Sequence, residues 1–417
     1  MKRIAFICLP LGLACLFGQS TPEPFDFTKA RPLIEKRQRG ETLTEAERAY
    51  LERAIAERRQ RLAETPPPPA PATAPAAAAG EIDWIKARAL FQRNQRGEKL
   101  TPEEDAYLKK AMAARQAGGA ARPANQRKAP ERLIPLTDMT ADDRYEGQDG
   151  GLYGGGRNTP PDAHRQAAEA ELKRIRPLNA DGEPDAEGVI GLVALSMSNA
   201  TQEFSRFKEV ADRSPLKSPK VVIVDCAQGG QAMAEWAPPD ARPWQEARRR
   251  LDAAKVSVRQ VQAAWIKLAN KAPTGSLEEH GRKLERDTLA LLQNAKKQFP
   301  NLRIAYLGSR TYGGYANGNL NPEPYAYESA FPARWLIQRQ MQGDAELAPA
   351  QSPLLLWGPY LWAEGTKGRK FDSLVWERKD FVGDGVHPSD SGRQKVAELL
   401  LNFFATDPLA KPWFGKK

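Results

Sequence analysis

The chain has 417 residues, with 62 lysines and arginines against 52 aspartates and glutamates, three histidines and three cysteines. The formal charge of +10 is unevenly spread: residues 21–130 carry 21 basic and 15 acidic residues, whereas residues 131–417 carry 39 and 37 and are close to neutral. This pattern lacks the basic, aromatic-interleaved stripe of a nucleic-acid-binding domain, and three scattered histidines supply no zinc-type spacing. No nucleic acid, metal or cofactor is expected.

In chain order, residues 1–20 read as a secretory signal peptide. Lys2 and Arg3 precede an apolar run from Ile4 to Phe17, and Gly18-Gln19-Ser20 fits a small-x-small cleavage site. The mature protein is expected to be exported, to the periplasm, the cell surface or the medium. Cys15 follows "LGLA", but glycine sits where a lipobox has leucine and the apolar run continues, so lipoprotein anchoring is the less favoured reading. Only Cys226 remains after cleavage; with no intrachain disulfide to rely on, the protein needs a packed core, and Cys226 reads as a buried structural thiol.

Two segments then repeat each other. "FDFTKARPLIEKRQRGETLTEAERAYLERA" (25–54) matches "IDWIKARALFQRNQRGEKLTPEEDAYLKKA" (82–111). Each predicts a helical hairpin, broken at Gly40 or Gly97, whose second helix opens with a capping box, Thr44 to Glu47 or Thr101 to Glu104. The hairpins are placed at 25–62 and 82–116. They hold no catalytic set, so contact with a cell wall or envelope is their expected role. A Pro/Ala linker (63–81) and a second spacer (117–130) separate them from each other and from a domain spanning 131–417.

Within that domain, apolar strands at 188–198, 220–230, 261–270 and 302–310 alternate with helical stretches. An edge strand is expected at 352–362, a long helix at 276–299 and an amphipathic closing helix at 393–404. The alternation predicts a three-layer α/β/α parallel sheet, with ligands at the carboxyl ends of the strands. Ser198 sits at the first such end, opening a helix whose Asn199 and Gln202 are spaced as a capping box. Gly229-Gly230 and Asn270 close the second and third strands, and Asp384 and His387 lie in "DGVHP" before the last helix. His280, in a charged helix, is expected at the surface, and His164 is expected to be structural.

"VALSMSN", "AQGG", "KLAN" and "DGVHP", in that order across roughly residues 186–405, resemble the successive blocks of the SGNH/GDSL hydrolases. The resemblance implies a flavodoxin-like fold in which Ser198 is the nucleophile, His387 its base and Asp384 the residue that orients the imidazole. Ser198 N–H, Gly230 N–H and the Asn270 amide would form the oxyanion hole. The chain departs from the family at Ser196-Met197-Ser198, where Gly-Asp-Ser is usual, and at Leu268-Ala269-Asn270-Lys271, where Gly-x-Asn-Asp is usual. It therefore reads as a divergent branch, with Ser196 as the rival nucleophile.

The implied activity is hydrolysis of a small-molecule or glycan ester. Two stretches rich in Tyr, Trp, Asn and Gly (310–329 and 357–370) offer Tyr312, Tyr315, Asn317, Trp357 and Tyr360 as sugar contacts; the alternative is that they pack a large loop. The competing functional reading is a catalytically inactive domain of the same fold that binds glycan or wall polymer. Oligomeric state is not legible.

Overall fold

The computed structural model describes residues 44–50, 53, 83, 86–87, 90, 100–117, 127–130 and 132–416. The expected signal peptide, the Pro/Ala linker and much of the repeats and second spacer lie outside the described residues. The chain divides into two compact units between Glu81 and Ile82. In the first, Thr44 N–H donates to Glu47 Oε2 (2.8 Å) and Glu47 N–H returns to Thr44 Oγ1 (3.3 Å). In the second, Thr101 and Glu104 exchange the same pair of bonds at 3.0 and 3.2 Å, opening helix α1 (Pro102–Ala117) with proline at its first position. Asp83 N–H donates to Tyr107 Oη (2.8 Å).

Among the described residues, one sheet organises the larger unit. Strands β1 (Ile190–Ala194), β2 (Val221–Asp225), β3 (Val261–Lys267), β4 (Ile304–Gly308) and β5 (Leu354–Trp357) lie in the order β2-β1-β3-β4-β5. Every neighbouring pair is parallel. This is the flavodoxin-like order. Because side chains alternate across a strand, the apolar runs feed two cores. On one face Val193, Val224, Ile266, Leu307 and Trp357 pack with Trp236, Trp244, Leu292 and Trp335. On the other, Leu192, Ile223, Trp265 and Tyr306 pack with Phe204, Phe207, Leu400 and Phe404.

The helices follow from that division. Helices α2 (Asp162–Leu172), α3 (Ser198–Asp212), α9 (Asp390–Thr406) and α10 (Lys411–Phe414) contribute to the second core. Short α4 (Met233–Trp236), α5 (Arg242–Ala253), α6 (Arg282–Gln298), short α7 (Tyr325–Glu328) and α8 (Ala330–Met341) contribute to the first. Aromatic pairs fix both layers: Trp236 meets Trp244 edge-on at 4.8 Å, Phe204 stacks on Trp265 at 5.6 Å and Phe207 on Phe404 at 5.5 Å. Cys226 is buried and free, and burial pushes its thiol up.

Two expectations are corrected here. His280 is not a surface residue: it is 8% exposed in a π-helical turn, Leu277–Gly281, ahead of α6, with Nε2 2.6 Å from Glu328 Oε2. The charged sequence around it hid a single inward-facing position. Arg127, within the stretch expected as the second spacer, pairs with buried Glu328 (2.6 Å). Finally, Asn199 and Gln202 form no capping box; α3 begins at Ser198 with no side-chain cap, since the Asn199 amide is engaged elsewhere. His164 is buried as expected, with Nε2 2.8 Å from the Leu355 carbonyl oxygen; burial lowers its pKa.

Candidate active site

Connections reverse direction at β1, so β1 and β3 flank the point where an open α/β sheet splits and a crevice forms at its carboxyl edge. Ser198 lies four residues beyond β1 and opens α3. Its backbone N–H is therefore one of those the helix leaves without an internal acceptor. Ser198 Oγ lies 2.8 Å from His387 Nε2, and His387 Nδ1 lies 2.6 Å from Asp384 Oδ2. Three of the predicted site residues are thus brought into one hydrogen-bonded chain.

The histidine block is built to hold that geometry. Asp384 Oδ1 accepts the backbone N–H groups of Val386 and His387, both at 2.9 Å. Gly385 has φ +70°, and a Cβ there would fall 1.7 Å from the Tyr315 carbonyl oxygen, so the turn requires glycine. Burial alone would raise the Asp384 carboxyl; the hydrogen bonds and charge of His387, with the two backbone donors, outweigh it and hold the group at about 2. An ionised carboxylate can only accept, so the proton sits on Nδ1 and Nε2 is left to accept from Ser198. The sign of the linkage follows: Asp384 stabilises the fold above its ordinary value of 3.8, and that contribution fades as pH falls through about 2.

Ser196, the rival, is fully buried, and its Oγ donates to the Lys267 carbonyl oxygen at 2.5 Å. Gly230 follows β2 with φ +75°, exposed, with open space where a Cβ would stand. Asn270 follows β3; its Oδ1 accepts from Ala234 N–H (3.0 Å) and one of its amide N–H bonds goes to Asp287 Oδ2 (2.5 Å). Gly230 and Asn270 share the carboxyl edge with Ser198 but form no hydrogen bond to it.

The aromatic positions divide. Tyr312 and Tyr315 are half-buried and meet edge-on at 5.1 Å. Tyr315 Oη donates to the Trp376 carbonyl (3.1 Å). Asn317 is exposed, with Nδ2 donating to Gly383 O (2.7 Å) and its N–H to Asp384 O (3.0 Å), so it braces the loop that carries Asp384. Trp357 and Tyr360 are corrections. Each is 4% exposed, Trp357 Nε1 donates to Leu152 O (2.6 Å) and Tyr360 Oη accepts from Leu136 N–H (3.2 Å). They pack the core and are not presented to a ligand.

One residue escaped the sequence reading. Arg310, just past β4, is buried; it donates to Asn199 Oδ1 (3.0 Å), and Asn199 Nδ2 donates to Val386 O (2.6 Å). The residues next to Ser198 and His387 are thereby joined through one amide. The only sequence signal was a lone arginine closing an apolar strand. Among the described residues no group of three His, Cys, Asp or Glu side chains is arranged to hold a metal, and no helix is long and apolar enough to cross a membrane.

No protein-family model matches the chain, and no curated protein matches it. Among solved structures it is similar to a Bacteroides fragilis protein bearing the name of an acylhydrolase, at 12% identity and a TM-score of 0.32, over 60% of this chain and 100% of that one. It is also similar to the periplasmic domain of a lipopolysaccharide acetyltransferase from Salmonella ser. Paratyphi A, at 11% identity and a TM-score of 0.29, over 59% of this chain and 96% of that one. Neither likeness is close enough to carry chemistry across.

Proposed function

We propose that the chain is an exported serine esterase of the SGNH/GDSL type that hydrolyses carboxylic esters, with an acylated carbohydrate as its substrate class. The observation that carries this reading is the unbroken series Ser198 Oγ, His387 Nε2, His387 Nδ1, Asp384 Oδ2 at 2.8 and 2.6 Å. A domain that only binds glycan has no need of an ionised carboxylate aimed at the far nitrogen of a histidine beside a helix-opening serine.

The chemistry follows from those positions. Ser198 Oγ attacks the ester carbonyl as its proton passes to His387 Nε2, and Asp384 stabilises the imidazolium that forms. The oxyanion takes hydrogen bonds from the Ser198 N–H at the start of α3, where the helix dipole favours negative charge, and from the Gly230 N–H and the uncommitted N–H of the Asn270 amide. His387 returns the proton to the departing alcohol. Water then repeats the sequence on the acyl-serine, releasing the acid and restoring Ser198.

The reading predicts a nucleophilic serine that a fluorophosphonate will label, forming a P–O bond to Oγ with loss of fluoride. Peptide mass spectrometry is expected to place the adduct on Ser198. An adduct on another serine, or none at a concentration that labels a control esterase, would contradict it.

A further inference from the structure

Resting on the serine-esterase reading, we propose that Arg310 is a positioning residue for the triad: by fixing the Asn199 amide it holds His387 within hydrogen-bond reach of Ser198. The two residues that must meet lie 189 positions apart, one opening α3 and the other on the loop before α9. Packing between those helices, as in the stack of Phe207 on Phe404, brings the two segments together. A hydrogen bond of 2.8 Å needs finer registration. The bonds from Asp384 to Val386 and His387 fix the shape of the loop, but not its place against α3.

That registration runs through one peptide unit. The Val386 carbonyl accepts from Asn199 Nδ2 (2.6 Å), and the N–H of the same unit, that of His387, donates to Asp384 Oδ1 (2.9 Å). The unit is clamped at both ends, between the helix that opens with Ser198 and the acid of the triad. Asn199 can serve in only one orientation. An amide presents its oxygen on one side and its N–H groups on the other; flipped, it would set that oxygen against the Val386 carbonyl. Arg310 Nη1 donates to Asn199 Oδ1 at 3.0 Å. A guanidinium has no acceptor to offer, so it selects the orientation that holds Val386.

The surroundings of Arg310 agree with that role. Arg310 is 4% exposed and Asn199 2%. Among the described residues the guanidinium makes a single hydrogen bond, the one to Asn199, and its buried Nε has no acceptor. A buried N–H left unpaired costs stability, so the arginine is kept here against the interest of the fold. Burial also disfavours its charged form, with the carboxylates of Glu203, Asp384 and Glu323 opposing that effect. Its backbone is held from behind: Arg310 N–H donates to Ser329 Oγ (2.9 Å), and Ser329 Oγ donates to the Ala326 carbonyl (2.7 Å) in short α7.

The test is a double-mutant cycle on the full chain, with Arg310→Met, Asn199→Ala and the two combined, read by p-nitrophenyl acetate hydrolysis. Each single change is expected to lower kcat by about 10²-fold and leave KM within about twofold of the parent. Because Arg310 acts through Asn199, the double variant is expected to lose no more than either single one. Crystal structures of the parent and Arg310→Met read the geometry without turnover: His387 Nε2 is expected beyond hydrogen-bond reach of Ser198 Oγ in the variant. Asn199→Ala, small and uncharged on a helix, keeps the proposal falsifiable if Arg310→Met does not fold. Parental kcat in either single variant, additive losses in the cycle, or an unmoved Nε2 would overturn the assignment. Failure of the esterase reading shows separately, as hydrolysis indifferent to Ser198→Ala, and leaves the crystallographic comparison to decide on Arg310.

Discussion

Replacing His387 with alanine is expected to reduce ester hydrolysis by about 10³–10⁶-fold, with the protein still folded. His387 is 22% exposed in its side chain and lies on a loop, so its removal opens no large core cavity; the loop keeps the bonds from Asn317 and from Arg378. What is lost is the acceptor 2.8 Å from Ser198 Oγ, without which the hydroxyl attacks as a neutral, weak nucleophile. Asp384→Asn is the sharper variant. It preserves shape but offers an amide N–H toward Nδ1, which favours the tautomer carrying its proton on Nε2, where it cannot accept from serine. A loss on the order of 10³–10⁴-fold is expected. The same change should flatten the decline in stability between about pH 4 and 2, where the native carboxylate at about 2 resists protonation longer than an unfolded one at 3.8. Full activity in His387→Ala would place the base elsewhere.

The second large effect concerns stability. Lys267, near the end of β3, points into the core and donates to both oxygens of Glu203 at 2.6 and 2.8 Å; the two side chains are 0% and 1% exposed. Glu203 lies on α3, the helix that begins at Ser198, and the Lys267 carbonyl accepts from Ser196. The pair staples the helix that opens with Ser198 to the sheet. Glu203→Gln leaves a buried cation without its partner and is expected to cost about 3–5 kcal/mol. The double change Lys267→Met with Glu203→Leu removes both charges and is expected to be neutral or stabilising by about 1–4 kcal/mol. Burial pushes the Lys267 ammonium down to about 8, with Glu203 opposing. Between that value and 10.5 the unfolded chain holds a proton the native state has lost, so this residue's contribution to stability rises with pH over that window. Urea unfolding of the three proteins across pH 7–10 checks both statements; a single variant as stable as the double would contradict the first.

The fold was largely legible because its signals are local. Apolar runs at 188–198 and 261–270 can only be buried strands, and the helices between them dictate parallel pairing. The strand ends then place Ser198, Gly230 and Asn270 along one edge, and "DGVHP" carries its own turn chemistry in Gly385. What could not be read depends on distant partners. Nothing near Lys267 in "WIKLAN" names Glu203, and nothing near His280 names Glu328. Asn199 had the spacing of a cap, but Arg310, 111 residues later, competes for its amide. The loop aromatics failed in part for the same reason: Tyr and Trp suit both a sugar face and a core, and only the packing of Trp357 and Tyr360 decides between them.

The central claim, that Ser198 is the nucleophile of an ester hydrolase, is tested most directly by p-nitrophenyl acetate hydrolysis in the parent, Ser198→Ala and Ser196→Ala. The structure predicts an active parent, loss of activity in Ser198→Ala, and retained activity in Ser196→Ala, whose hydroxyl is turned into the sheet. Equal rates in the parent and Ser198→Ala, or loss confined to Ser196→Ala, would contradict it.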